Sequence, residues 1–344
     1  MNRILSLVAT ALLLVACSQG PAPEPAQTSS YLDYSNRDDL LTGGVKMISI
    51  QTPKGDFRVW TKRVGNNPRI KVLLLHGGPG ATHEYFEAFD SYFPSAGIEY
   101  YYYDQLGSAF SDQPGDPSLW DLPRFVEEVE QVRQALKLDR SNFYLLGHSW
   151  GGVLAMEYAL KYQQSLKGLV ISNMMASFPA YNEYAKNTLM PAMDPAVLKE
   201  VLRYEAAKDY ENPKYMELLI PNFYEQHILR MPAAEWPDPV NRAFARLNKK
   251  IYIPMQGPSE MGASGKLGKW DRMNDLGKIA VPTLVIGAKH DTMDPAYMEA
   301  MSKAIPGARF LLCPNGSHMA MYDDQKTYFG GLTSFIHDVD AGGK

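Results

Sequence analysis

Apolar positions along the chain alternate between two periods. Val45 to Gln51 and Phe57 to Arg63 read as paired strands, with Pro53-Lys54-Gly55-Asp56 as the turn. Ile70 to Leu75 is a short apolar run bounded by Pro68 and His76-Gly77-Gly78-Pro79-Gly80, the pattern of a buried strand. Ile98 to Tyr103, with four consecutive tyrosines, predicts the next strand by its β-preferring residues. Leu122 to Leu136 carries apolar residues at 122, 125, 126, 129, 132 and 136, which is helical spacing, with Asp121 at the N-cap and Pro123 in the first turn. Further strands are expected over Asn142–Leu146, Leu166–Ser172, Pro282–Gly287 and Arg309–Cys313, and helices over Gly151–Tyr162 and Tyr322–Val339. Strand–helix–strand alternation implies a mostly parallel sheet with helices on both faces. The alternation stops between Met174 and Asp275, where a helical, Met- and Tyr-rich stretch is punctuated by prolines. An insertion within the sheet domain accounts for it. The organisation expected is a core over 43–173 and 276–344, interrupted by a helical segment over 174–275.

The first 42 residues follow a different pattern. Arg3 is the only charge before Glu24, and Ile4 to Ala16 is an apolar stretch shorter than a membrane span and of signal-peptide length. It ends in Leu14-Val15-Ala16-Cys17, which resembles a bacterial lipobox and implies cleavage after residue 16 and lipid on Cys17. Ser18 to Ser30 reads SQGPAPEPAQTSS, a composition that packs no core and serves as a linker to residue 42. Ser18 after the cysteine resembles the sorting pattern for an outer-membrane destination, on the periplasmic side of a Gram-negative envelope. Composition narrows the rest. Of 344 residues, 45% are hydrophobic and 21% charged, so the chain is globular rather than disordered. The net charge of −4, with no basic stripe, argues against nucleic acid as a partner. Two cysteines make no disulfide framework, and Cys313 in a strand pattern reads as a small buried apolar residue.

The chemistry collects at strand ends. Gly147-His148-Ser149-Trp150-Gly151 follows a strand and opens a helix, which is the context of a nucleophile elbow presenting Ser149. A serine hydroxyl needs a base, and the base needs a carboxylate that fixes its tautomer. In this elbow class the order is Ser, acid, His. Asp291 follows the strand ending TLVIG, ahead of its rival Asp294, and His318 lies in the loop after RFLLC. Among the other histidines, His76 precedes a glycine loop, His148 adjoins the nucleophile, His83, His227 and His337 fall on predicted helices, and His290 precedes the acid. Two backbone N–H donors are required for the oxyanion. Trp150, after the nucleophile, and Gly78, in the glycine loop after an earlier strand, are the candidates. H-E-x-x-H, C-x-x-C and Walker patterns are missing from the sequence, so neither metal nor cofactor is expected.

HGGPG, YYDQLGSAFSDQP, LLGHSWGG, ISNMMAS and the late Asp and His together resemble the proline iminopeptidase family of α/β-hydrolases, over about residues 45 to 340. MQGPSEM and GSHM are closest to the branch typified by the tricorn-interacting aminopeptidase and related amino-acid amidases. The family's usual DQRG reads Asp104-Gln105-Leu106-Gly107 here, which leaves the strictness of prolyl specificity open. The resemblance implies an α/β-hydrolase fold with a helical cap and a serine aminopeptidase that releases an N-terminal residue, proline preferred, from short peptides or amides. It also implies cap glutamates that hold the substrate's free amine. Glu260 in Gly257-Pro258-Ser259-Glu260 matches that motif, and Glu225 in NFYEQHILR is the second candidate. Two alternatives stand beside this: an amidase or esterase on other small acyl compounds, and a lipid-anchored binding protein with an inactive hydrolase fold. Epoxide hydrolysis on this fold would want a carboxylate where Ser149 stands.

Overall fold

The computed structural model describes residues 31–343. Residues 1–30, where the expected leader, Cys17 and the Pro-rich run fall, lie outside the described residues. Among the described residues, eight strands form one sheet: β1 (Val45–Thr52), β2 (Gly55–Val64), β3 (Lys71–Leu75), β4 (Glu99–Asp104), β5 (Phe143–His148), β6 (Gly168–Ser172), β7 (Thr283–Ala288) and β8 (Arg309–Cys313). Their spatial order is β1-β2-β4-β3-β5-β6-β7-β8. The β1/β2 and β2/β4 pairs are antiparallel, and every pair from β4 to β8 is parallel. Thr52 pairs with Gly55, so the hairpin turn closes over Pro53-Lys54 and is tighter than the four residues expected.

Both faces of the sheet are buried, which is why its strands read as runs rather than alternations. Leu73 and Leu75 of β3 pack with Val129 and Val153 on one face. Val72 and Leu74 pack with Phe86, Phe89 and Leu332 on the other. The tyrosines of β4 divide the same way, Tyr101 and Tyr103 to the first face and Tyr100 and Tyr102 to the second. Cys313 is free and buried. Helices α1 (Leu122–Ala135) and α2 (Trp150–Tyr162) occupy the first face. Asp121 stands at the N-cap of α1 without a side-chain capping bond.

Six helices lie between β6 and β7: α3 (Phe178–Tyr184), α4 (Pro195–Ala207), α5 (Pro213–Leu219), the short α6 (Glu225–His227), α7 (Asp238–Ala245) and α8 (Lys249–Met255). Many of the prolines that punctuate this stretch start helices. Pro179, Pro195, Pro213 and Pro239 sit in first turns, where a missing N–H costs nothing. Asp194 and Asn212 cap two of these ends by accepting from Ala196 and Lys214 backbone N–H groups.

Two features of the carboxyl-terminal part differ from expectation. Helix α9 (Pro295–Ala304) joins β7 to β8 on the first face, and Asp294 is its N-cap, accepting from Ala296 N at 2.9 Å. The single helix predicted over Tyr322–Val339 is two, α10 (Ala320–Asp323) and α11 (Gln325–Asp340). Asp324 breaks it with φ −139 and ψ 48, and its carboxylate accepts from Asn315 N at 3.0 Å and from Thr327 Oγ1 at 2.8 Å. That bond ties the chain to the loop that leads into His318.

Candidate active site

Ser149 makes the turn between β5 and α2 by itself, with φ 56 and ψ −128, a conformation few side-chain-bearing residues adopt. Its neighbours leave no other choice. A Cβ on Gly147 would stand 1.9 Å from Gly151 O, and one on Gly151 would stand 2.0 Å from Leu75 O. Both contacts are with backbone, which cannot yield. Ser149 N–H donates to Ser172 O at 3.1 Å and holds the elbow against β6. The glycine loop passes directly over it: a Cβ on Gly77 would lie 2.9 Å from Ser149 Cβ. Gln105 braces the elbow from the DQLG loop, accepting from Trp150 Nε1 at 2.9 Å and donating to His76 O at 3.0 Å.

Asp291 and His318 are brought together from the ends of β7 and β8. His318 Nδ1 lies 2.8 Å from Asp291 Oδ1. Asp291 is fully buried and also accepts from Asn173 Nδ2 at 2.7 Å and Met293 N at 3.1 Å. Burial alone would raise its carboxyl, but the His318 imidazole and these donors outweigh burial and hold it below the ordinary carboxylate range. Burial alone would likewise lower His318, and the facing Asp291 carboxylate reverses that, leaving the imidazole above its ordinary value. Asp294, the rival acid, is committed to capping α9.

Ser149 and His318 line one cavity of about 370 Å³ closed over by the segment between β6 and β7. Its wall is largely apolar and aromatic, with Tyr215, Ile220, Trp236, Phe244 and Leu247 from that segment. Gly78 lines it too. The Gly77 N–H is already taken by the Tyr85 hydroxyl at 2.7 Å, whereas no acceptor among the described residues takes the Gly78 N–H. Trp150 carries the first N–H of α2, one of those a helix leaves without an intrahelical acceptor.

Glu260 reaches the same cavity. Three tyrosines fix it: Tyr252 donates its hydroxyl hydrogen to Oε1, Tyr181 donates to the Glu260 carbonyl oxygen at 2.6 Å, and the Tyr224 hydroxyl accepts from its N–H at 3.3 Å. Burial pushes its carboxyl above the usual value, with His318 and the Tyr252 hydroxyl pulling partly back. Glu225 is not brought there. Its Oε1 accepts from Ala233 N at 2.7 Å, and it is absent from the cavity wall. The structure therefore does not bring Glu225 together with Ser149, His318 and Glu260. Sequence reasoning missed Tyr85, Tyr224 and Tyr252, which carry no local motif. Among the described residues no group of three or more His, Cys, Asp or Glu side chains is placed to hold a metal.

This fold and elbow define a class, and residues 71–325 match the α/β hydrolase fold family. Within it, the chain is 60% identical over 294 residues to a proline iminopeptidase of Flavobacterium johnsoniae, covering 86% of this chain and 98% of the relative. It is 55% identical over 294 residues to one from Chitinophaga pinensis, with the same coverage of each chain. Among solved structures it is similar to VinJ, at a TM-score of 0.79 and 27% identity over 86% of this chain and 99% of that one. It is similar also to a proline iminopeptidase of Mycobacterium smegmatis, at 0.73 and 28% over the same shares. The chain belongs to the proline iminopeptidase family.

Proposed function

We propose that this protein is a serine aminopeptidase that removes an N-terminal residue, proline preferred, from short peptides and amino-acid amides. The observation that carries this is the placement of Glu260 in the same cavity as Ser149 and His318. The iminopeptidase relatives support it, and the apolar wall suits the methylenes of a prolyl ring. Ser149 Oγ attacks the carbonyl carbon while His318 takes its proton. Asp291 accepts from Nδ1–H, fixes the tautomer and stabilises the imidazolium. The Gly78 and Trp150 N–H groups hold the oxyanion. The C–N bond then breaks, and His318 returns the proton to the leaving amine. Water, deprotonated by His318, attacks the acyl-enzyme and releases the amino acid.

Glu260 supplies the selection for a free N-terminus. Its carboxylate pairs with the substrate ammonium, and a blocked terminus leaves it desolvated without a partner. Losing one member of a buried pair costs roughly 3–5 kcal/mol, on the order of 10² to 10⁴ in kcat/KM. Partial exposure of the pair would shrink this toward roughly tenfold. Glu260→Gln is therefore expected to lose that factor on prolyl amide and to keep its rate on a small neutral ester. Equal loss on both substrates would assign Glu260 to structure. Wild-type enzyme that cleaves N-acetylprolyl amide as fast as prolyl amide would sink the aminopeptidase assignment and leave a general amidase.

The proposal extends to location. Leu14-Val15-Ala16-Cys17 and the Pro-rich run after it support a leader over residues 1–16, a lipid anchor on Cys17 and an envelope site.

A further inference from the structure

One hydrogen-bonded path in the site is unused by the mechanism above. The Gly77 N–H donates to the Tyr85 hydroxyl at 2.7 Å, and that oxygen lies 3.0 Å from His148 Nδ1. The other ring nitrogen, Nε2, lies 2.8 Å from the His318 carbonyl oxygen. The two ends fix every proton between them. A carbonyl only accepts, so Nε2 carries a hydrogen and donates it. An amide N–H only donates, so the Tyr85 oxygen accepts there and sends its own hydrogen to Nδ1. The ring is thus the neutral Nε2–H form. Burial, with His318 facing it, holds His148 down to about 3, so this form persists across any working pH.

We propose that Tyr85 and His148 are positioning residues for the reaction: together they form a strut that sets the oxyanion loop against the backbone of the base, His318. The strut joins three chain segments, the loop at Gly77–Gly78, the elbow at His148–Ser149 and the loop at His318. Its middle is rigid. The Tyr85 ring packs against Phe86 at 4.5 Å and against His148 at 5.2 Å, and its carbonyl accepts from the Tyr322 hydroxyl at 2.8 Å. The Gly77 N–H belongs to the peptide just before the one that carries the Gly78 donor, so freeing it loosens the approach to that donor, whose own peptide is held at the Gly77 carbonyl by the His76 Nδ1–H at 2.9 Å. Gly78 has φ +105, a conformation open to glycine, so the aim of this donor depends on the contacts that hold the loop, the strut beside the His76 bond. Oxyanion stabilisation depends on a donor held where charge develops, and that geometry is what the strut supplies.

The inference rests on the serine-hydrolase assignment, and its test separates the two. Tyr85→Phe keeps the ring and removes only the hydroxyl. It is expected to lower kcat on a prolyl amide roughly 10- to 100-fold, as a small misplacement of a reacting group does. KM should stay within about threefold, since the donor acts on the transition state rather than the bound substrate. The preference for free over N-acetylated substrate, which Glu260 sets, should not move. Labelling of Ser149 by a fluorophosphonate, whose reaction also places an oxygen in the hole, should slow by the same factor as kcat. His148→Phe should show the same pattern, and the double variant should be no slower than the slower single one. Tyr85→Phe with kcat within about twofold of wild type, beside an inactive Ser149→Ala, overturns the strut. So does a loss spread over KM, amine preference and kcat together, which is general loosening. An active Ser149→Ala would overturn the serine-hydrolase assignment itself.

Discussion

On the proposed mechanism, His318 and Asp291 set the pH dependence of the site, and its sign follows from their contact. His318 acts as base only when neutral. Asp291 raises its pKa above the ordinary 6.5, so the acid limb of kcat/KM lies above that value. Asp291→Asn removes the largest charge that raises His318 and leaves burial opposed only by Glu260 and Asp323, which favours the neutral ring. The variant should lose on the order of 10⁴ in kcat and shift its acid limb to lower pH than wild type. A pH–rate profile with the limb unmoved would assign that limb to another group, Glu260 being the nearest. The positions of Ser149, Asp291 and His318 were legible because each sits at a strand end with a local pattern around it. Glu260 was legible only through family resemblance. Tyr85 and His148 were not legible as partners, because their bonds join residues 63 and 170 positions apart. Glu225, the second glutamate the resemblance suggested, has its carboxylate on the Ala233 N–H, a local bond that the sequence pattern around it does not show.

At the level of elements, the segment between β6 and β7 meets the core at the glycine loop that carries the proposed oxyanion donor, Gly78. Asn248 N–H donates to Gly80 O at 2.8 Å, and Asn248 Nδ2 donates to Gly107 O at 2.8 Å. Beside them, buried Glu84 takes Arg242 at 2.6 Å and Arg246 at 2.8 Å. Both arginines belong to the inserted segment, and Glu84 follows the glycine loop by four residues. Hydrogen bonds to charged groups are worth roughly 1.5–3 kcal/mol where water is excluded. Here Arg242 keeps Glu87 and Asp238 as partners, so Glu84→Gln weakens the latch without stranding that charge. The loosened segment carries Glu260, whereas Ser149 and His318 stay on the core. Glu84→Gln should therefore raise KM for prolyl amide roughly tenfold and leave turnover of a small ester unchanged. Equal loss on both would mean that the latch holds the oxyanion loop rather than the inserted segment. This docking had no sequence signature. The helices themselves did: prolines read as breaks were helix starts, and Asp294-Pro295 had the capping pattern of α9 although no helix was expected there.

At the scale of the whole molecule, the parallel order of β3 to β8 gathers the glycine loop, the elbow and the loops of Asp291 and His318 at the carboxyl ends of the strands. That convergence was legible, since strand–helix alternation forces it. The size of the cavity was not, because it depends on how the inserted helices settle. The other edge of the sheet receives the amino-terminal part of the chain. The Tyr31 hydroxyl donates to Ile98 O at 2.7 Å, just before β4 begins, and Asn67 Nδ2 donates to Gly97 O at 2.7 Å beside it. The described chain thus begins beside the amino ends of the parallel strands, at the edge of the sheet opposite Ser149 and His318. If lipid on Cys17 holds the protein to a membrane, the cavity remains open to soluble peptides and the anchor contributes nothing to chemistry. Cys17→Ser should move the protein from the detergent phase to the aqueous phase on phase separation, or leave its leader uncleaved. The kcat/KM of the aqueous protein on prolyl amide should match that of the anchored form. Wild-type protein that partitions into buffer without detergent would remove the anchor. An aqueous variant with altered kcat/KM would instead show that the tether reaches the site although the described chain begins at the opposite edge.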